Sequence, residues 1–507
     1  MAWLSKPLPA ALLLVLLWTL CRLAFLKRDG IRQPEYHDEF CYLLGADTFA
    51  HGRLTNPPHP LANFFEAPNV LVRPTYAPKY PPGQALFLAL GQRLFGSPFY
   101  GVILGNDLML FTFCLMLYAW VPYPWALAVS AMVACCLQPG MYWTNSYWGG
   151  SVAASGGALV LLGIGMYRTR PTPLAGVAFA LGALLLFWTR PLEGGVFTLT
   201  ALLVFAKELW SKRSAGAWLA VLLIIATGGA WTCYYNQAVT GSPLQLPYAM
   251  YEKQYNVQPI FWFLPLRPEP TYANPRIAST FGINGVYADD YRKDRRWPRG
   301  VLLGFATTIW RLVTTLGATL LFTLVVPVAW RDPRYRKMAI VTGVFLLLLC
   351  AEVYHFQHYG APDWAALALM IAVWAQHVWN LRFRKLPVGA ALVILALIAS
   401  PASVALHKSM SPPLHDWTNR RAAMIARLST LDRPQLVIVR YPAPEWNSGI
   451  EWVYNGADID GQRVVFARDR GTEENRALLK YYPDRQANLL TFDRVSVQDR
   501  LDPYPPQ

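Results

Sequence analysis

Charge is scarce in this sequence. Only 15% of the 507 residues are Asp, Glu, Lys or Arg, and 54% are hydrophobic, whereas soluble globular domains carry roughly 25% charge. That shortage excludes a chain surrounded by water on all sides. Nucleotide and hydrolase signatures are missing too: there is no GxxxxGK[ST], no GxGxxG after a strand and no GxSxG elbow. Nucleotide-driven transport and serine hydrolysis therefore have no local support. Cysteine is sparse and poorly spaced. Of seven, Cys21, Cys114, Cys135, Cys136, Cys233 and Cys350 fall in or beside apolar segments, with no CxxC pair. We expect neither a disulfide framework nor a cysteine metal site.

What the sequence has is long apolar runs. A ~30 Å hydrocarbon core takes about 20 helical residues, and such stretches recur from the N-terminus to about Leu406. The expected spans are 9 to 27, 98 to 120, 124 to 141, 148 to 167, 173 to 189, 193 to 207, 217 to 237, 301 to 329, 338 to 355, 363 to 381 and 387 to 406. That makes about eleven helices. Residues 9 to 26 are also apolar enough for a signal peptide, but no small-residue cleavage site follows, so they are expected to stay as the first membrane helix. The two spans around Thr189-Arg190-Pro191-Leu192-Glu193 are short, as tilted or broken helices beside a polar pocket would be.

The basic residues give the orientation. The net charge of +15 sits in short clusters between apolar runs, as the positive-inside rule requires, rather than in a nucleic-acid face. With Lys6 inside, alternate short loops carry Arg168 and Arg170, then Lys207, Lys212 and Arg213, then Arg331, Arg334, Arg336 and Lys337, then Arg382, Arg384 and Lys385. Lys27 and Arg28 oppose the scheme, but they open a long loop, where the rule is weaker. Three hydrophilic pieces then share the outer face: residues 28 to 97, residues 238 to 300, and the tail from about 407. Gln84 to Phe95 is too brief to span and reads as an interfacial helix. In the tail, Asp416 to Leu428 and Glu473 to Tyr481 have helical spacing, while Gln435 to Tyr441 and Arg463 to Ala467 read as strands. The chain is thus an all-α polytopic membrane protein, residues 1 to 406, with a small C-terminal α/β extracytoplasmic domain, residues 407 to 507. Asn455 to Gly461 has calcium-loop residue types without the full spacing and reads as a turn.

Chemistry concentrates in the first outer loop. His37-Asp38-Glu39 places two adjacent carboxylates about ten residues after a membrane helix. Adjacent acids near a bilayer raise a pKa unless compensated, as a general base requires; a pair of carboxylates at a helix start is the plainer alternative. The loop also supplies Glu66, Arg73 and Pro78-Lys79-Tyr80-Pro81-Pro82. Prolines fix the chain so that the Lys79 ammonium suits a lipid phosphate, or else snorkels to the interface. Arg190 and Glu193 are expected to pair with each other. Tyr147, Trp148 and Trp143 read as interface-belt aromatics. His358 and Tyr359 lie in His358-Tyr359-Gly360-Ala361-Pro362 near the outer face, where a phosphate-facing or hydrogen-bonding role suits the histidine better than a metal. Arg292, Lys293, Arg295 and Arg296 form an outer basic cluster suited to anionic lipid or a phosphate-bearing substrate.

The order of first helix, outer loop with Asp38-Glu39, interfacial helix after Lys79-Tyr80-Pro81-Pro82 and many later spans resembles the C-type (GT-C) glycosyltransferase superfamily. The likeness runs over about residues 9 to 405. It is greatest to the branch of protein O-mannosyltransferases, aminoarabinose transferases and rhizobial lipopolysaccharide-core transferases. Asn145 to Gly150, Arg190 to Gly194 and His358 to Pro362 resemble a bacterial subgroup of it. The resemblance implies a bacterial inner-membrane enzyme with a periplasmic active site and a polyprenyl-phosphate sugar as donor. It further implies that Asp38 is the base that removes a proton from an acceptor hydroxyl. Glu39 would orient the acceptor or tune Asp38, and Glu66 would be the reserve base. Lys79, with Arg73, His358 and Tyr359, would bind the donor phosphate. Membrane lipids and an acceptor glycolipid, polysaccharide or protein are the expected partners; no nucleic acid, cofactor or metal is expected, and transfer would be inverting. A transporter or flippase is the rival class, but transporters usually place ionisable groups at the bilayer midplane in paired broken helices, and here the acids sit in an outer loop.

Overall fold

The computed structural model describes residues 2–139, 141–316, 327–410 and 416–505. Prolines mark where its helices begin. Lacking an N–H, proline is suited to the first helical turn, where that donor has no partner anyway, and it opens α3, α5, α7, α8, α10, α11 and α14. The helices are α1 (Pro7–Asp29), α2 (His37–Ala50), α3 (Pro82–Phe95), α4 (Phe99–Trp120), α5 (Tyr123–Cys136) and α6 (Ser151–Thr169). Then follow α7 (Pro173–Phe187), α8 (Pro191–Ser211), α9 (Ala215–Thr240), α10 (Pro247–Tyr255), α11 (Pro275–Phe281), α12 (Val286–Asp294) and α13 (Arg299–Leu316). The last five are α14 (Pro333–Ala351), α15 (Trp364–Val378), α16 (Val388–Met410), α17 (Trp417–Ser429) and α18 (Thr472–Tyr481).

Every expected membrane segment carries a helix. Among the described residues five helices, namely α1, α4, α6, α9 and α16 over Val388–Leu406, are long and apolar enough to cross a membrane, and α5 and α7 are shorter apolar helices. Of the expected span 301 to 329, residues 317–326 lie outside the described residues. Almost every side chain of α15 is buried, which marks it as the central helix of the bundle. At one end of the bundle the basic short loops meet: Lys212 donates to the Arg168 carbonyl, Lys337 pairs with Glu208, and Arg334 reaches the Trp120 carbonyl at 2.7 Å.

The hydrophilic pieces fold together. In the first loop a two-residue hairpin, β1 (Val70–Leu71) against β2 (Ala77–Pro78), pairs Val70 with Pro78. The tail carries a sheet of β3 (Gln435–Arg440), β4 (Val464–Arg468), β5 (Gln486–Phe492) and β6 (Asp499–Pro503), in the order β4-β3-β5-β6 with only β6 antiparallel. It does not have a private core: Phe40, Leu44, Phe64, Phe65, Val70 and Tyr76 of the first loop share one apolar cluster with Trp417, Ile438, Trp452 and Phe466 of the tail. Non-directional burial of this kind brings the loop and tail to the same side of the bundle.

The second loop joins them through one side chain. Arg276, 5% exposed, donates to the carbonyls of Pro444, Trp446, Asn447 and Ile450 at 3.3, 2.6, 2.9 and 2.5 Å, and its Nε lies 3.6 Å from Glu451. Arg468 holds the same carboxylate at 2.8 Å. Burial alone would raise the Glu451 carboxyl, but the Arg468 and Arg276 guanidiniums outweigh it and hold it down at about 2. Arg276→Ala removes one of the two guanidiniums beside the buried Glu451 carboxylate and leaves several carbonyls without a donor, so we expect a loss of about 3–5 kcal/mol, read as a lower melting temperature and faster proteolysis of the tail. Because the folded value is depressed, the Glu451 contribution is complete above its ordinary value of 4.5 and is lost as pH falls from there toward about 2. Acid melts of the wild type should be steeper through that window than those of the Ala variant.

Candidate active site

Three consecutive residues at the start of α2 point to three different partners. Glu39, with no solvent exposure, accepts from the backbone N–H groups of Glu35 and Tyr36 at 2.7 and 3.1 Å, and through its other oxygen from Tyr147 N–H at 2.9 Å. It closes its own helix N-terminus, where unpaired N–H groups favour a carboxylate. Burial still pushes its carboxyl up, ahead of the Arg32 charge and the amide bonds that lower it. His37 turns the other way, to the tail. Its Nε2 lies 2.7 Å from the Ser448 carbonyl, to which it donates, and its Nδ1 2.9 Å from Tyr454 Oη. Burial lowers its pKa further than the Ser448 carbonyl raises it.

Asp38, between these two pins, is half-buried. Its Oδ1 accepts from Asn69 Nδ2 and Tyr80 Oη, both at 2.5 Å. Among the described residues no hydrogen bond reaches Oδ2. Burial first, and the Asp38 charge second, push the Tyr80 phenol well above its ordinary range, so Tyr80 keeps its proton and donates. Asn69 stands at φ +67, a left-handed conformation asparagine tolerates better than most residues. Its carbonyl accepts from Lys79 N–H and Cys41 Sγ, and its own N–H reaches Tyr251 Oη. The β1–β2 hairpin thereby sets Lys79 and Tyr80 beside Asp38.

Lys79 does not snorkel to water. It is 6% exposed and enclosed by the rings of Tyr80, Tyr248 and Tyr251, whose centroids lie 5.1, 5.1 and 4.6 Å from Nζ. Cation–π attraction of this kind strengthens when water is excluded. Glu252 Oε1 stands 3.4 Å from the ammonium. An apolar cavity lies beside it, lined by Pro81, Phe187, Trp188, Tyr235 and Leu246. The start of α3 is locked against the end of α7: Gly83 N–H donates to the Trp188 carbonyl at 2.6 Å, and a Cβ there would lie 2.6 Å from the same oxygen.

The remaining sequence candidates scatter. Glu66 is buried against Tyr255 Oη at 3.4 Å, its backbone carbonyl accepts from Arg468, and it shares no hydrogen bond or ion pair with Asp38 or Lys79. Burial raises its carboxyl despite the Arg468 charge. Arg73 is exposed. His358 is buried, with Nδ1 2.7 Å from Tyr142 Oη, and burial followed by the Arg190 charge drives its pKa well down. Tyr359 lies under the Arg190 guanidinium at 4.2 Å, and Arg190 pairs with Glu193 at 3.6 Å. Arg292 and Lys293 are paired with Asp289 and Asp290, Arg295 donates to Tyr291 Oη, and Arg296 is exposed. Trp143, Tyr147 and Trp148, expected in an interface belt, are instead buried in the protein, Trp148 against His358 at 4.9 Å. Among the described residues no group of three or more His, Cys, Asp or Glu is placed to hold a metal ion.

Sequence reasoning missed Asn69, Tyr80, Tyr248, Tyr251 and Glu252. The last three had a signal: they recur at i, i+3 and i+4, one face of a helix, in the short α10 of the second loop.

A helical bundle whose long loops enclose an acidic helix start, with a small sheet domain beside them, is a fold this chain shares with an oligosaccharyltransferase. No family model and no curated sequence matches the chain, but solved structures do. The Archaeoglobus fulgidus oligosaccharyltransferase, tethered with an acceptor peptide containing the NVT sequon, aligns with a TM-score of 0.50 over 97% of this chain and 70% of its own, at 11% identity. Its complex with Zn and sulfate gives 0.50 over 94% and 68%, at 12% identity. ArnT from Cupriavidus metallidurans in the apo state gives 0.49 over 94% and 92%, at 13% identity.

The contrast between neighbours in this site is testable. Glu39→Ala strands buried amides, each costing about 1–3 kcal/mol, so its melting temperature should drop, while Asp38→Asn should melt like the wild type. Equal melting of Glu39→Ala and wild type would remove Glu39 from its capping role.

Proposed function

We propose that this chain is a membrane glycosyltransferase that moves a sugar from a polyprenyl-phosphate donor to an acceptor hydroxyl on the outer, periplasmic face of a bacterial inner membrane. The observation that carries the reading is the pairing of Asp38 and Lys79 through Tyr80: a carboxylate anchored by one oxygen, next to a buried cation in an aromatic cage. Asp38 Oδ2 takes the proton of the acceptor hydroxyl as that oxygen attacks the anomeric carbon. The bond from this carbon to the phosphate oxygen breaks, and the phosphate leaves toward Lys79. A single displacement inverts the anomeric configuration. Phosphate is already a good leaving group, so the protein contributes orientation and charge stabilisation more than chemistry.

Other roles follow from position. Glu39 and His37 are positioning residues that hold Asp38 from either side, and Tyr80 and Asn69 fix its orientation. Tyr359 and His358 border the site beyond Arg190, and Glu66 secures the loop to the tail. The exposed Arg295, Arg296 and Arg73 suit anionic lipid or a charged acceptor. The basic short loops at the other end of the bundle support the outward placement of the site.

Asp38→Asn is the test of the base. Its amide oxygen keeps both bonds now made to Oδ1, but the side chain no longer accepts a proton. Transfer should fall by about 10² to 10⁴ in turnover with donor binding retained. Lys79→Ala should weaken donor binding, a charge-assisted contact contributing ~1.5–3 kcal/mol. If neither variant differs from wild type and no polyprenyl-phosphate sugar is consumed, the glycosyltransferase reading fails in favour of transport.

A further inference from the structure

The Lys79 ammonium carries three N–H donors, yet among the described residues it makes one hydrogen bond, to Glu252 Oε1 at 3.4 Å. That is long for a charge-assisted bond, whose separation is usually about 2.7–2.9 Å. Its other neighbours are tyrosine faces, which attract a cation but offer no oxygen lone pair to its protons. Glu252 is held more firmly by its second oxygen. Oε2 accepts from Asn256 Nδ2 at 2.8 Å and lies 3.3 Å from Arg267 Nη1. Arg267 also donates to the backbone carbonyls of Glu252 and Asn256 at 3.3 and 3.4 Å. The carboxylate therefore has an anchorage that does not depend on Lys79.

We propose that Glu252 is an exchangeable counter-ion: it occupies Lys79 while no phosphate is bound and yields it to the phosphate group of the lipid carrier, Asn256 and Arg267 retaining the released carboxylate. This rests on the reading of Lys79 as the phosphate ligand. The charges make the exchange workable. Lys79 and Arg267 outnumber Glu252 by one charge, which Asp38 across Tyr80 offsets, so what the exchange needs is supplied by Arg267: a cation that retains the carboxylate when a phosphate takes Lys79. The exchange also discriminates between stages of the reaction. A phosphodiester donor bears one negative charge, and the phosphate that leaves gains a second as the sugar departs. The more highly charged species competes better against Glu252, so Lys79 is released most completely as that charge develops. Interactions stronger late than early are the ones that accelerate a reaction. Glu252 is in this sense a positioning residue acting through Lys79.

Binding to the full-length protein in nanodiscs tests it, with inorganic phosphate and a polyprenyl phosphate as separate probes. Glu252→Gln removes the competing anion but keeps the size of the side chain, and affinity should rise on the order of tenfold. A rise for polyprenyl phosphate alone supports the exchange and assigns the site to the lipid carrier; a rise for both supports it and shows that the phosphate group suffices. Arg267→Met should weaken binding several-fold, because Glu252 loses an anchor and stays on Lys79. Placed on Glu252→Gln it should do much less, a non-additivity that simple loss of structure does not produce. Unchanged or weaker binding of both probes by a normally melting Glu252→Gln overturns the exchange. If that variant does not fold, unchanged affinity in Arg267→Met overturns it instead. Lys79→Ala separates the two levels: if it leaves both affinities unaltered, the phosphate role of Lys79 itself is wrong, whereas if it weakens binding while Glu252→Gln has no effect, only the exchange is wrong.

Discussion

A carboxylate with no contact with water is the constraint on which the rest of this site depends. Leaving Glu39 uncompensated would cost several kcal/mol, and the chain meets that demand with three backbone amides drawn from two places, the entry to α2 and the α5–α6 connection at Tyr147. Those bonds close the helix end and tie it to the bundle. His37 does the complementary work on the opposite side, tying the same helix start to the tail. Asp38, between them, has little freedom to move, and a reacting group misplaced by about 1 Å loses much of its effect.

The same logic of satisfied burial governs the cations. Lys79 and Arg190 sit against tyrosine rings with a carboxylate nearby, and Arg276 is spent on tail carbonyls. Each buried charge therefore links segments far apart in the chain: the first loop to the second through Lys79 and Glu252, and the second loop to the tail through Arg276. A shared apolar core then joins the tail back to the first loop. The two long loops and the tail are one folded unit rather than three separate pieces, which explains how loops without long secondary structure hold the candidate site's side chains in place.

Much of this was legible in the sequence because it depends on local pattern. Apolar runs locate the helices, and spacing alone marks both helices and two strands of the tail. Arg190 and Glu193, three residues apart at a helix start, pair as their proximity suggests. What escaped depends on long-range contact. Nothing local says that His37 and Glu39, on either side of Asp38, face opposite ways, or that Asn69 reaches Asp38 from 31 residues downstream. Trp143 and Trp148 look like membrane-belt residues by composition, yet helix packing buries them. Glu66 resembles Asp38 in type and loop, and only the fold places it against Tyr255 and the tail.

The central claim is that Asp38 and Lys79 flank a single displacement at a sugar carbon, and the stereochemistry of the product tests it most directly. Purified protein would be given a polyprenyl-phosphate sugar of known anomeric configuration and an acceptor, and the new glycosidic bond examined by NMR. The account predicts inversion, with one polyprenyl phosphate released per sugar transferred. Retention of configuration, which needs a covalent glycosyl-enzyme intermediate or another two-step route, would contradict it.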